Sequence, residues 1–346
     1  MESEILGQSP IQVRLFRKLT GQAVCFVNSR NLRTSTPSTS PLIRFLLIRL
    51  LQSIPVLLAI YTITFVMIKA TPGSPFDDER KVPPAVLEKQ MEYYGYGDSL
   101  LNQYWNLLYR HVTFDFPPIA SVPGLTSGDI IREHFGTSIE LGLLGMAVAL
   151  LIGIPAGVLA SWKKNSAFDY VPMSLSMTGI CLPTFVIGPI LALIFALQLK
   201  WTPVSGWFGW EYRILPALTL GLFYAAYIAR MTRGGMLEVL SLDYIRTARA
   251  KGLSDAAVIL KHALRGGIMP VVSFLGPAIA GVISGSFVVE TIFQVPGLGR
   301  HFVQAALNRD HSLIVTTVFF YAILIIVANI IVDIVQIYLN PKLRYD

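Results

Sequence analysis

Residues 244–265 read YIRTARAKGLSDAAVILKHALR. This polar stretch carries Arg246, Arg249, Lys251, Lys261 and Arg265, with His262 beside them, in a 346-residue chain that is 53% hydrophobic and only 14% charged. A soluble protein is roughly 25% charged, so the solvent that shaped the rest of this chain is a bilayer. The stretch divides at Gly252. Upstream, residues 238–251 have helix-forming content and end in Arg246, Arg249 and Lys251, where the helix dipole favours cations. Gly252 stands where a chain leaves a helix through a left-handed residue, and Ser254 can cap the next helix. On that second helix Leu253, Ala256, Ala257, Leu260 and Leu264 recur at spacings of three and four. They predict one apolar face, with Lys261, His262 and Arg265 off it. Such a helix–glycine–helix unit either lies on anionic lipid or inserts into a partner's cleft. A lipid-bound helix has no use for a glycine break, which favours the partner.

Working outward, six stretches approach the roughly 20 apolar residues that a spanning helix needs: 50–68, 141–160, 170–199, 214–229, 266–289 and 312–332. The third is long enough to tilt or kink at Pro183 and Pro189. The fourth is short, with Arg213 and Arg230 placed to snorkel at its ends. With the N-terminus inside, inner segments hold 18 Lys and Arg and outer segments 10. Residues 230–265 alone hold 7, so the positive-inside rule predicts cytoplasmic termini and places the opening stretch on the cytoplasmic side. Residues 1–41 form a basic tail, expected to be flexible. Residues 42–346 form the membrane domain, with an acidic outer loop at 70–138, helical near 84–96, and a cytoplasmic loop at 233–265.

Several chemistries are excluded. No Lys is followed by Ser or Thr, so there is no phosphate loop and no ATP site of that kind. No cofactor or metal is expected. Cys25 and Cys181 lie too far apart for a metal spacing, and none of the five histidines falls inside an apolar span. The net charge of +7 serves orientation, and no nucleic-acid partner is expected. Gly153 with Gly157, and Gly281 with Gly285 around Ser284, are small residues four apart that let helices approach. Lys69, Glu140, Glu290 and Asp333 stand at span ends, and Asn329 and Asp333 share a face that packs on a neighbouring helix. That scarcity of charge at mid-depth lowers the alternative of a stand-alone, ion-coupled carrier of small solutes.

The opening stretch resembles the cytoplasmic loop of ABC-importer permeases, whose pattern is E-A-A-x3-G-x9-I-x-L-P. Ala248, Gly252 and Leu264 match it. Arg246 and Thr247 stand at the first two positions, and His262, Ala263 and Arg265 at the others of the second half. The wording RTARAKGL…HALR is that of the oligopeptide/dipeptide branch. LIRFLLIRLL (42–51), TPGSPF (71–76), RMTRGGMLEVL (230–240), ETIFQVPGLGR (290–300), ALNRD (306–310) and NPKLRY (340–345) agree with that branch too, closest to the first of its two permease subunits. The resemblance covers residues 41–346. It implies an all-α, six-span type I importer permease that pairs with a second homologous permease in the bacterial inner membrane. It implies two cytoplasmic ATPase subunits, which bind the ATP, and an extracytoplasmic peptide-binding protein.

The chain itself is then not an enzyme. Its coupling loop would use Tyr244, Arg246, Thr247, Ala248, Arg249, Lys251, Gly252, Leu260, His262 and Leu264. VPGLGR at 295–300 reads either as a gate turn at the outer mouth, through Pro296, Gly297 and Gly299, or as a plain surface turn. Ser176, Thr178, Thr184, Ser273, Ser284 and Ser286 are candidates to line the passage.

Overall fold

The computed structural model describes residues 41–70, 88, 92, 99–119 and 124–339, with side chains outside the description at 41–45, 280, 283–285 and 336–339. The expected tail, the TPGSPF and NPKLRY segments and nearly all of the helix expected near 84–96 lie outside the described residues. The described residues form helices and no strand, with one antiparallel bridge between Pro118 and Thr126.

Four helices are each long and apolar enough to cross a membrane: α1 (Pro41–Ala70), α3 (Ser127–Trp162), α6 (Trp210–Leu240) and α11 (His311–Leu339). Two bent pairs raise the count to six if each is one span. The first joins α4 (Ala167–Cys181) to α5 (Thr184–Gln198) at 111°. The second joins α8 (Asp255–Gly267) to the start of α9 (Met269–Ile292) at 50°. Three shorter helices complete the order: α2 (Leu100–Val112), α7 (Asp243–Ala250) and α10 (Leu298–Leu307).

Side-chain contacts fix the running directions. On α3 and α6, Gly145 meets Leu220, Gly153 meets Ala225 and Ile228, and Gly157 meets Ala229 and Thr232, so the two helices run parallel. Parallel spans need an odd number of crossings between them, and α4 with α5 supplies one. On α9 and α3, Glu290 meets Ser138 near the start of α3, so α9 runs back. Gly276 of α9 meets Asn329 of α11, and Arg49 of α1 meets Asp333. Arg49 and Asp333 therefore lie at one end of the bundle, as six crossings require.

The departures from expectation have local causes. The helix expected from residue 141 begins at Ser127, because Thr126 and Asp129 form a reciprocal capping box. Asp129 N donates to Thr126 Oγ1 over 3.2 Å and Thr126 N to Asp129 Oδ2 over 2.9 Å. The expected outer loop therefore contains α2 and the first turns of α3. The kink foreseen at Pro183 is a break. Pro183 has no N–H to donate and pushes Leu182 into the extended region, at φ −88° and ψ 120°. The fourth span is longer than its apolar run and is the most deeply packed of the four long helices. Arg213, expected to snorkel at its edge, is ion-paired to Glu140 at 2.5 Å and stacks on Trp207 and Trp210.

The core sits between α3, α6 and α9. A Cβ on Gly153 would lie 2.7 Å from Ala225 O, one on Gly157 2.5 Å from Ala229 O, and one on Gly221 of the facing helix 2.7 Å from Gly145 O. Only glycine permits this approach. Gly281 of α9 is similarly covered by Tyr224. A second cluster holds α2 against α1 and α11. There Tyr61 makes edge contacts with Tyr104, His111 and Phe319, and buried His111 bonds Leu107 O (2.8 Å) and lies 3.2 Å from Thr316 Oγ1.

Candidate functional site

At one end of α6 the chain folds into the helix pair foreseen around Gly252. α6 stops at Leu240, and a turn at Ser241 and Leu242 separates it from α7, so residues 238–251 are not one helix. α7 closes through Gly252 at φ +79°, with Leu253 N donating to Ala248 O over 3.4 Å, the left-handed exit expected there. Ser254 caps α8 by accepting from Ala257 N at 3.4 Å.

The buried face of the pair differs from the expected one. Ile245, Ala248, Val258, Ile259 and Ala263 pack together with Met236, whereas Leu253 and Leu260 are 42% and 62% exposed. Leu253 lies in the turn before α8 begins at Asp255, and at Leu260 a π-helical stretch over Val258–Ala263 departs from the 3.6-residue period. Leu253 and Leu260, read as packing residues, are on the outside, while Leu264 packs against the buried cluster as expected. Tyr244 and Leu260 are exposed beside Arg246, Arg249 and Lys251, while Ala248 is buried and His262 and Leu264 are half-buried. Arg246 and Arg249 make only long ion pairs, with Asp243 (3.4 Å) and Asp255 (3.7 Å), and Thr247 donates to Asp243 O at 3.0 Å.

Two features absent from the sequence reading tie this surface to the spans. A Cβ on Gly235 of α6 would strike Gly267 O of α8, and one on Gly267 would lie 2.6 Å from Met236 Sδ, so the two helices cross almost in contact. Arg233, two residues before, grips buried Asp169 of α4 with two hydrogen bonds of 2.6 and 2.9 Å. Asp169 was recognisable only as a lone carboxylate opening an apolar run.

Near the start of α3 the expected gate turn has a buried centre. α9 ends with Gln294 in the left-handed region at φ 56°, and Val295 N donates to Glu290 O over 2.9 Å. Glu290, expected at a span end, is fully buried. Its Oε1 accepts from Ser138 Oγ (2.9 Å) and Ser286 Oγ (2.7 Å), and its Oε2 accepts from Arg300 N (3.0 Å). Ser138 Oγ in turn accepts from Leu298 N at 2.8 Å. Gly297 and Gly299 are buried against the carboxylate and leave no room for a Cβ, while Pro296 is exposed. His134 Nδ1 donates to Pro296 O (3.1 Å), and its ring lies 4.1 Å from that of His301.

Of the six hydroxyls expected to line a passage, those described have different surroundings. Ser286 belongs to the Glu290 cluster, and buried Ser176 donates to Pro172 O of its own helix at 2.7 Å. Thr184 is half-buried, the side chain of Ser284 lies outside the described residues, and Thr178 and Ser273 are exposed. Ser273 lines a groove of about 460 Å³ with Asn329 and the Arg49–Asp333 pair (3.1 Å).

Residues 153–345 match the family described as the inner membrane component of binding-protein-dependent transport systems. The oligopeptide transport system permease protein OppB of Haemophilus influenzae is 43% identical over 306 residues, 88% of this chain and 100% of that protein. The dipeptide transport system permease protein DppB of Bacillus subtilis is 39% identical over 87% of this chain and 98% of its own. Among solved structures, an inward-facing form of the MetNI methionine ABC transporter aligns with a TM-score of 0.54 at 15% identity, over 61% of this chain and 96% of that one. That likeness establishes the fold. The full-length relatives and the family match set aside the alternative of a stand-alone carrier. The chain belongs to the family of binding-protein-dependent transport system inner membrane components and is a permease subunit of an ABC importer.

Proposed function

We propose that this permease forms half of a passage that carries oligopeptides or dipeptides across the inner membrane. It is worked through the α7–α8 pair by ATPase subunits that supply all of the ATP chemistry. The observation that carries the coupling role is the surface of that pair. Tyr244, Leu253 and Leu260 face outward among Arg246, Arg249 and Lys251, while the opposite face is packed onto α6. An apolar–basic surface on a rigid, glycine-jointed pair suits a protein cleft. The cargo class rests on the oligopeptide and dipeptide permeases at 43% and 39% identity. The excess of Lys and Arg in residues 230–265 supports a cytoplasmic position for this end and for both termini. The partners are a second homologous permease, two ATPase subunits and an extracytoplasmic peptide-binding protein.

The test is reconstitution of the chain with the permease, ATPase and binding-protein subunits encoded beside it. Loaded binding protein is expected to stimulate ATP hydrolysis. Leu260→Asp should abolish that stimulation while leaving the chain inserted. Accumulation of peptide by the chain alone, or failure of any ATPase to co-purify with it, would overturn the proposal.

A further inference from the structure

A carboxylate with no water around it is costly unless its oxygens are fully hydrogen-bonded, and an apolar side chain of similar volume would often hold the same site as well or better. Glu290 is fully buried, so its presence calls for a reason beyond packing. Its partners supply one. Ser138 belongs to α3, Ser286 to α9, and Arg300 N to the first turn of α10. Through Ser138 Oγ the same cluster also holds Leu298 N, the first amide of α10. Gly297 and Gly299 bring the turn's backbone against the carboxylate. Removing either oxygen as an acceptor frees one part of this joint without leaving a cavity.

We infer that Glu290 is a positioning residue that clamps the Val295–Arg300 turn and α10 to α3 and α9, so that these elements move as one body when the importer cycles. The carboxylate touches no cargo. It acts through the turn, whose exposed Pro296 and neighbouring His134 and His301 form the face presented at this end. The assignment rests on the importer function proposed above, but its geometry does not.

The experiment uses the complete transport complex in proteoliposomes and compares wild type with Glu290→Gln and Ser138→Ala. Gln preserves volume but turns an N–H₂ group toward Arg300 N or toward the two serines, so one side of the joint is lost. Hydrogen exchange in peptides covering 295–304 is expected to quicken by about tenfold or more, as the loss of a buried acceptor implies. Exchange in 141–160 and 214–229 should stay within about twofold of wild type. The maximal rate of peptide uptake should fall with the quantity of assembled complex unchanged. Ser138→Ala, which keeps the carboxylate, should quicken exchange at Leu298 in the same direction.

If Glu290→Gln fails to assemble, the Ser138→Ala comparison decides. Exchange at 295–304 unchanged in either assembled variant, or quickened equally in all spans, overturns the clamp. A normal uptake rate beside locally quickened exchange also overturns the role in transport. A wild-type complex that imports no peptide would instead defeat the functional proposal, and the exchange comparison would still judge the clamp.

Discussion

At the scale of the residue, Gly252 shows how little crowding explains a glycine joint. Nothing beyond its chain neighbours lies within 4 Å of where its Cβ would be, yet its φ is +79°. Elsewhere the chain leaves α2, α9 and α10 through left-handed Phe114, Gln294 and Arg309, so a side chain in this conformation is tolerated at about 1–2 kcal/mol. Gly252→Asn should therefore keep most coupled uptake and Gly252→Val lose part of it. Gly252→Pro should lose nearly all, since it cannot reach positive φ and deletes the N–H donated to Arg249 O. Uptake and ATPase assays at matched expression check the order, and equal activity for all three would refute it.

His301 supports a second prediction. Burial, then the His134 ring and Arg300, push its pKa down to about 4, and burial also lowers that of His111. Below the unfolded-state value of about 6.5 the unfolded chain binds more protons than the folded one. Stability should then be greatest above that pH and decline as pH falls toward 4. Thermal unfolding in detergent from about pH 7.5 to 5 should show this, with a shallower slope in His301→Asn.

Such residues divide by the reach of their partners. Gly252 and Ser254 were legible because a cap is made with neighbours three or four positions away. Glu290 does stand at a span end, in the last turn of α9, but its burial was not legible because Ser138 lies 152 positions from it. The spacing of Glu290 to Gly297 and Gly299 is a signal that becomes readable only once the carboxylate is known to be buried.

At the scale of the element, the apolar runs located every span but not its ends. Hydropathy reports the greasy middle of a helix, while a cap decides where it starts, and the Thr126–Asp129 box lies well outside the greasy part of α3. Gly153 and Gly157 were read correctly as packing residues, since spacing alone puts them on one face. Gly157→Leu should be among the most damaging changes in the spans, because Ala229 O and Thr232 stand 2.5 Å from its Cβ and both belong to a helix that cannot shift alone. A loss of about 2–4 kcal/mol, within the range for overpacking and larger clashes, would be read as a fall in Tm of the purified chain. Gly136→Leu on the same helix has open space and serves as the control.

At the scale of the whole molecule, the parallel course of α3 and α6 and the return of α9 require an alternating path of six crossings, with α4 and α5 together making one. The proposed orientation then has a direct check. In a background lacking Cys25 and Cys181, a cysteine at exposed Phe208 should react with a membrane-impermeant maleimide in intact cells. One at exposed Leu253 should react only after permeabilisation. The reverse pattern would invert the topology. The fold class and the helix–glycine–helix joint at Gly252 were legible because both are written in composition and local motif. The passage was not, because hydroxyls such as Ser176 and Ser286 bond within their own helices.

The widened coil at Val258–Ala263 has an evolutionary corollary. A π-helical turn holds one residue more than the ordinary winding needs. Deleting a single residue there should heal the coil with Ser254 and Gly267 still in their places, while the same deletion elsewhere in α8 would rotate the pair's exposed face relative to α6. Natural length variation in this loop should therefore concentrate between Val258 and Ala263.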